Sequence, residues 1–389
     1  MTSLTRRGCS LPTFFLILSL VAAPALPQGP PKGPAESRRS EKVAVGVERV
    51  EIRRGDLTAA GADHWTINVL ILDPGKTRLA LGRARDAGVG TETTSSLAAR
   101  HGAAAAVNGG YFRTSGIYRG EPGGIMAMAG RVLSEPSRKR PGLAVSNGSG
   151  RTRLAVVDLA FRAEVVAGRG NARRAVDGVN RPRLENEVIV FTPEFHRTTL
   201  TGPAGTEAAI AGGRVLALHV GQGSAEIPAG GWVVSGHGRS ADWVRDNLKK
   251  GARVELRTET VLSPEPSFAP EFILGGGPRL LREGRPAASS DPGIYDTGFA
   301  DARHPRTAVG LRSDGRILLV TVDGRQPGIS VGMTIAELTA LLAELGAAEA
   351  INMDGGGSTT MVASGRVVNS PSDPTGERPV GDALLVLLR

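Results

Sequence analysis

The chain has 389 residues, 40% of them hydrophobic, which is enough to build one large domain or two ordinary ones around a core. The formal net charge is +9, but aromatic residues make up only 4% and the arginines are scattered along the chain. This composition argues against nucleic acid as a partner, because neither stacking platforms nor a dense basic helix is present.

The N-terminus has the pattern of a secretory signal. Two arginines precede the apolar run Leu11–Leu20, and small residues follow it, which predicts a signal peptide over residues 1–27. The run is too short for a stable transmembrane anchor. Residues 28–42 are rich in proline and charge and are predicted to be a disordered tether, so the folded part is expected to begin near Val43. We therefore predict an exported protein that is periplasmic, bound to the cell envelope or extracellular.

Most of the remaining chain consists of short β-like runs separated by glycine-containing turns, which predicts many β-hairpins. The clearest helix begins at Thr334, where Thr334 and Glu337 form a capping-box pattern, and ends at Gly346. Apolar strands are predicted on either side of it, over Ile317–Val322 and Ala348–Met353. This strand–helix–strand order indicates a parallel crossover unit.

A second helical stretch, Ser95–His101, precedes a predicted strand over Ala103–Val107. Together these signals predict an α+β (mixed α/β) fold with a strand-rich mixed sheet, a few helices and one βαβ crossover.

Polar residues and glycine follow three of these strands. Asp323, Asp354 and Asn108 come directly after the apolar runs, and ligands bind beyond the carboxyl ends of parallel strands. We therefore expect one shared site with Asp354 and Asp323 as the catalytic carboxylates. The predicted substrate-binding residues supply fixed positive charge, backbone N–H groups or hydroxyls: Arg306, Arg325, Asn108, Thr307, Gly355, Gly356, Gly357, Ser358, Thr359, Glu377 and Arg378.

Structural roles also fit several of these residues. Asp323 and Asn108 fit simple turn positions, and Arg306 fits a partner of a structural carboxylate. Glu377 and Arg378 fit a local ion pair. His304 precedes a proline and fits either a loop-shaping residue or an acid–base group.

No cofactor is predicted. The histidines lack the spacing of zinc ligands, so no metal site is expected from them. A hard cation such as Ca²⁺ is an alternative for the oxygens of Asn352, Asp354 and Asp323.

Five motifs in this order resemble the phosphodiester glycosidase family, across roughly residues 100–389. They are Val107–Phe112, Pro305–Gly310, Val322–Arg325, Asn352–Met361 and Gly376–Val380. The resemblance implies one domain over residues 43–389, in which residues 151–263 are a variable subregion or an insertion. It also implies hydrolysis of the bond between an anomeric sugar carbon and a phosphodiester, which releases free sugar and a phosphomonoester. The partner would be a glycosyl-1-phosphodiester or a phosphate-linked envelope glycan.

Asp354 is the preferred carboxylate at the anomeric carbon, because the glycines beside it are predicted to hold the phosphate. Two other functions fit the same residues. One is a non-catalytic envelope protein that binds phosphate-linked glycans, and the other is a phosphodiesterase that cleaves the P–O bond.

Overall fold

The computed structural model describes residues 1, 36–55, 63–136, 140–168, 172–287, 295 and 298–389. The predicted signal peptide and most of the predicted tether lie outside the described residues. Residues 36–42, which were also predicted to be disordered, instead form most of the first strand. This strand pairs antiparallel with the next one, and Arg54 joins the two through a 2.7 Å ion pair with Glu36.

The described residues contain three α-helices: α1 (Thr94–Arg100), α2 (Arg239–Asn247) and α3 (Ile335–Glu344). They also contain the following β-strands, in chain order: β1 (Glu36–Ala44), β2 (Val47–Gly55), β3 (His64–Leu72), β4 (Thr77–Arg83), β5 (Ala105–Asn108), β6 (Met126–Met128), β7 (Arg131–Ser134), β8 (Gly142–Ser146), β9 (Arg153–Ala167), β10 (Ala172–Ala175), β11 (Gly178–Val179), β12 (Val188–Phe191), β13 (Thr206–Ala211), β14 (Arg214–Val220), β15 (Trp232–Gly236), β16 (Val254–Ser263), β17 (Phe272–Gly275), β18 (Arg279–Arg282), β19 (Arg285–Pro286), β20 (Arg306–Arg312), β21 (Ile317–Val322), β22 (Ala347–Asn352), β23 (Met361–Ala363), β24 (Arg366–Val367) and β25 (Asp382–Leu388).

The predicted α+β class is wrong, because the protein is mostly β. The strands form four sheets, and the longest of the three α-helices in the described ranges has ten residues. The capping box at Thr334 is confirmed, so the local helix signal was sound. The predicted class gave too much weight to two helical segments in a chain whose glycine-rich turns mainly connect antiparallel strands.

The first sheet has the strand order β1-β2-β3-β21-β20-β22-β18-β19. The predicted crossover joins β21 to β22 through α3, but β20 lies between these strands and is antiparallel to both. The two strands therefore run in the same direction without pairing. Their carboxyl ends, and the start of β20, meet at one edge of the sheet.

The second sheet has the order β10-β9-β8-β17-β6-β7, with β16 paired to β9, and the third has the order β11-β12-β15-β13-β14. The fourth sheet, β24-β23-β5-β25-β4, packs against the first through a shared apolar core. Helix α3 covers the opposite face of the first sheet, and α1 packs on the fourth. Because β25 is antiparallel to β5, its start lies beside the end of β5.

Candidate active site

Asn108 joins the strand ends at this edge. It is fully buried, and its Oδ1 accepts hydrogen bonds from Thr307 Oγ1 at 2.7 Å and from the Thr360 N–H at 3.1 Å. Its Nδ2 donates to the Asp354 carbonyl at 2.7 Å. The amide thus links the end of β5 to β20, to the residue before β23 and to the turn after β22. The structure brings Asn108, Thr307 and Asp354 together, with Asn108 and Thr307 acting on the backbone of the site.

Asp354 is the half-buried carboxylate of this cluster. Its Oδ1 accepts a 2.9 Å hydrogen bond from the Gly355 N–H. Burial raises the pKa of Asp354 to about 6, although the Ser358 hydroxyl, the Gly355 N–H and the nearby Arg378 and Arg140 oppose the rise. A carboxylate of this pKa can take up and release a proton close to neutral pH.

Asp382, at the start of β25, is a second carboxylate that the sequence analysis missed. It is 1% exposed, and its Oδ1 accepts a 2.8 Å hydrogen bond from the Gly110 N–H. Its Oδ2 has no hydrogen-bond partner within the described part of the chain. Burial raises the pKa of Asp382 to about 7, and the charge of Asp354 contributes to the rise. Its sequence signal is Gly381-Asp382 before an apolar run, a position that the pattern of polar residues after strands does not single out.

Gly109 has no room for a side chain, because a Cβ there would lie 1.9 Å from Asp382 Oδ1. Its carbonyl also accepts the Asp354 N–H at 3.1 Å. We expect Gly109→Ala to displace Asp354 and to reduce both activity and the midpoint of thermal unfolding. Gly102→Ala is the control, because no atom lies within 4 Å of a Cβ there, although its φ of +62° makes some loss of stability expected at that position too. Full activity of Gly109→Ala would contradict the prediction.

Arg306 is a buried cation that is held by carbonyl groups. Its Nε donates to Met333 O at 2.8 Å, and its Nη2 donates to Phe299 O at 2.8 Å and Ala302 O at 2.9 Å. None of its contacts in the described ranges is with a carboxylate, so the alternative of a structural ion pair does not apply to them. Burial lowers the pKa of Arg306 to about 10, which still leaves it protonated at neutral pH. The guanidinium therefore carries an uncompensated positive charge.

Arg325 lies close to Arg306 and adds to this charge. Its Nε and Nη2 lie 3.3 and 3.1 Å from His304 Nδ1. Burial and the two arginines lower the pKa of His304, so His304 is neutral at pH 7, accepts at Nδ1 and carries its proton on Nε2. Gly356 has a φ of +60°, and a Cβ there would lie 3.2 Å from the Arg325 guanidinium. The glycine thus allows Arg325 to lie against the turn after Asp354.

Most of the backbone N–H groups of the turn Gly355–Thr359 already donate hydrogen bonds within the protein. Those of Gly355, Gly356, Ser358 and Thr359 donate to Asp354 Oδ1, Pro305 O, Gly355 O and Gly356 O, respectively. Of the predicted phosphate-binding N–H groups of Gly355, Gly356 and Gly357, only that of Gly357 has no hydrogen-bond acceptor in the described structure. Gly357 also packs against the Arg378–Asp373 pair, because a Cβ there would lie 2.0 Å from Asp373 Oδ1.

Asp323 lies in a separate network. It is 1% exposed and accepts hydrogen bonds from Asn369 Nδ2 at 2.9 Å and from the Ser370 N–H at 3.1 Å. Burial raises its pKa to about 6, and the charged groups that act most on it are Glu51 and Arg49 rather than Asp354. In the described structure the carboxylate secures the loop after β24.

Glu377 and Arg378 do not pair with each other. Glu377 accepts hydrogen bonds from the N–H and the hydroxyl of Ser95 at 2.7 and 2.6 Å, at the start of α1. Arg378 forms a bidentate pair with Asp373 at 2.7 and 2.9 Å. Both residues hold the C-terminal loop in place, and only Arg378 acts on Asp354, through its charge.

Aromatic rings form a wall near the charged groups, which the sequence analysis did not assign to the site. The Tyr111 and Phe299 centroids lie 6.4 Å apart, and Tyr295 stacks on Phe299 at 5.0 Å. Arg306 lies 4.8 Å from the Phe299 centroid. The Tyr111 hydroxyl accepts from Asn352 Nδ2 at 2.9 Å and donates to Gly277 O at 2.7 Å. Arg140 lies 4.7 Å from the Tyr111 centroid, so the site combines an apolar wall, a carboxylate and the three cations Arg306, Arg325 and Arg140.

The alternative cation ligands do not come together. Asn352 Oδ1 has no hydrogen-bond partner among the described residues, but the Asp323 carboxylate is bonded to the 369–370 loop rather than lying beside Asp354. In the ranges that the structure describes, no three His, Cys, Asp or Glu side chains are grouped as a metal site. The absence of a cofactor stays a prediction.

Comparisons with known proteins place this chain among its relatives. Residues 204–387 match the family model for phosphodiester glycosidase. The mouse N-acetylglucosamine-1-phosphodiester alpha-N-acetylglucosaminidase is 30% identical over 182 residues, which are 44% of this chain and 34% of the mouse protein. A prophage-derived Bacillus subtilis protein, YomE, is 40% identical over 92 residues, which are 23% of this chain and 14% of that protein. This chain therefore spans about a third or less of the length of both relatives.

A solved structure of a Burkholderia pseudomallei protein has a TM-score of 0.79 and 26% sequence identity. The match covers 93% of this chain and 98% of that one. The fold is therefore shared over nearly the full length of both chains. None of the described helices is long enough to cross a lipid bilayer.

Proposed function

Because residues 204–387 belong to the phosphodiester glycosidase family, we propose that this protein is an exported hydrolase that cleaves the bond between an anomeric sugar carbon and a phosphodiester. The products are a free sugar and a phosphomonoester. The observation that carries the proposal is the uncompensated charge of buried Arg306, next to Arg325 and in the same site as the half-buried carboxylate of Asp354.

The two arginines bind the phosphodiester and stabilise the leaving group. A phosphomonoester leaves as an anion, so the transition state gains negative charge on the phosphate oxygens. Arg306 is already desolvated and fixed by three carbonyl groups, and little reorganisation is needed when that charge develops. His304 Nε2–H is a neutral donor beside Arg325.

Asp354 acts at the anomeric carbon. A water oxygen forms the new bond to this carbon, while the bond from the carbon to the phosphate oxygen breaks with its electron pair. Asp354 accepts the proton of the water and stabilises the oxocarbenium-like centre, as carboxylates do in glycoside hydrolysis. Its raised pKa, about 6, suits a base that acts at neutral pH. The rings of Tyr111 and Phe299 provide an apolar face for the sugar.

Hydrolysis in ¹⁸O-labelled water tests this proposal. The substrate is N-acetylglucosamine-1-phosphodiester, the compound in the name of the mouse relative, and the products are analysed by mass spectrometry. Label on the sugar supports C–O cleavage, whereas label on the phosphate indicates a phosphodiesterase. Binding without turnover across a panel of sugar-1-phosphodiesters indicates the non-catalytic alternative.

Asp382 is the carboxylate next to Asp354. The pKa of Asp382, about 7, lies above that of Asp354, about 6, and the charge of Asp354 contributes to this difference. Asp382 is therefore mostly protonated at the pH where Asp354 ionises, and Asn at position 382 keeps an oxygen for the Gly110 N–H. We expect the acidic limb of the pH–rate profile of Asp382→Asn to stay at the wild-type pH, because a base loses activity as pH falls through its own pKa. A limb that moves to lower pH would contradict this order of ionisation.

Export is the second part of the proposal. It rests on the signal pattern of residues 1–27. Mass spectrometry of the protein recovered from outside the cytoplasm should find an N-terminus close to residue 28, and an uncleaved cytoplasmic chain would contradict it.

A further inference from the structure

A second cationic cavity lies on the sheet that contains β9 and β16. It has a volume of about 560 Å³, and its walls include Arg173, Arg214, Arg253 and Arg257. None of these arginines belongs to the site described above. The size is in the range of pockets that bind small molecules.

Two of the four arginines form ion pairs with glutamates, and the other two do not. Arg173 pairs with Glu164 at 3.4 Å, and Arg257 pairs with Glu255 at 2.9 Å. Arg214 donates only to the Gly251 carbonyl, at 2.9 Å, and the Arg253 side chain forms no hydrogen bond or ion pair with the described residues.

Arg214 and Arg253 are also direct neighbours across an antiparallel bridge. Like charges in directly opposed positions of a sheet are destabilising, because their side chains are only about 5 Å apart. An anion between them would remove this repulsion. A phosphate matches the guanidinium group particularly well, since it accepts two parallel N–H bonds.

The cavity is open to a ligand on one side. Gly168, Gly212 and Gly213 contribute to its wall, and a Cβ at Gly168 or Gly212 would meet no atom within 4 Å. No aromatic side chain is found among its described lining residues, so it offers no surface for base stacking. These features favour a phosphate group on a sugar over a nucleic acid.

We propose that Arg214 and Arg253 form a second anion site, which binds a phosphate group of a phosphate-bearing glycan. This site is separate from Asp354 and does not depend on the proposed hydrolysis. It would hold a charged glycan at a distance from the bond that is cleaved.

Isothermal titration with glucose 6-phosphate, at low salt, tests the site. This compound is a phosphomonoester and contains no glycosidic phosphodiester, so binding is measured without turnover. We expect the wild-type protein to bind one molecule of glucose 6-phosphate more than Arg214→Gln/Arg253→Gln does, whether or not the site around Asp354 also binds it. The matched control is Arg78→Gln/Arg285→Gln, which removes the same charge from exposed arginines elsewhere and should bind as many molecules as the wild type.

The remaining measurements separate the site from its alternatives. The Arg214→Gln/Arg253→Gln variant should unfold at a temperature no lower than wild type, because it loses a like-charge pair, and its hydrolytic rate should be unchanged.

The proposal is overturned if the wild type and this variant bind the same number of glucose 6-phosphate molecules. Equal binding of galacturonate at the second site overturns the assignment to phosphate. Tighter binding of oligothymidylate than of glucose 6-phosphate overturns the assignment to a glycan. If hydrolysis is not found but the second site is, only the proposed activity fails.

Discussion

Replacing Asp354 with asparagine is expected to reduce kcat/KM on a sugar-1-phosphodiester by at least about a hundredfold, because the variant loses the base at the anomeric carbon. The fold should survive, since an asparagine oxygen can still accept the Gly355 N–H. Burial raises the pKa of Asp354, which means that its ionised form is unfavourable in the folded protein. Asp354→Asn should therefore unfold at a temperature no lower than that of the wild type.

Asp323→Asn is the comparison variant for this experiment. Asp323 has a similarly raised pKa, but it is bonded to Asn369 and Ser370 rather than to the cluster around Asn108. By the same reasoning, we expect the Asp323 variant to unfold at a temperature no lower than that of the wild type, and we expect it to keep most of its turnover. The opposite pattern, with turnover lost at position 323 and retained at 354, would reverse the roles of the two carboxylates.

The second large effect is expected at Arg306. Lysine at this position keeps the charge but loses the planar group that bonds three carbonyls. An ammonium group has three N–H donors, so it cannot satisfy these three carbonyls and also donate to the phosphate, whereas the guanidinium keeps Nη1 for this purpose. We expect Arg306→Lys to reduce kcat/KM at least about tenfold, which is roughly 1.4 kcal/mol of transition-state stabilisation. Inhibition by the phosphomonoester product should weaken in parallel.

Arg303→Lys is the matched control for Arg306. Arg303 belongs to the same segment, but Asp63 and Glu337 neutralise it through ion pairs of 2.5 and 2.6 Å. Its loss should change kcat/KM by less than about twofold, since surface ion pairs contribute little. Arg306→Lys activity within twofold of wild type, with unchanged product inhibition, would show that Arg306 is only structural.

Sequence patterns correctly predicted features that depend on contacts between residues close together in the chain. The helix after Thr334 was predicted from a capping box, and both of its reciprocal hydrogen bonds are present. The prediction that the two flanking strands pair in parallel depended instead on the order of the strands in the sheet. Strand β20, which comes earlier in the chain, lies between them.

The same distinction applies to the site. Motif order identified Asn108, Asp354, Arg306 and Arg325 as site residues, and the structure brings these four together. It does not bring Asp323 to Asp354, and it uses Glu377 and Arg378 to anchor a loop. Asp382 was missed because its place beside Asp354 follows from the antiparallel pairing of β25 with β5, which are far apart in sequence.

The amino-acid sequence alone indicated the resemblance to the phosphodiester glycosidase family, the glycine turns, the start of α3 and the identity of the chemical groups at the strand ends, because short-range patterns encode each of these. Only the tertiary structure decided which of those groups share one environment. Burial, the absence of a counter-charge and coupling to a second carboxylate all depend on atoms from distant parts of the chain. These properties distinguish Asp354 and Arg306 from Asp323 and Arg378, although the sequence predicts all four as site residues.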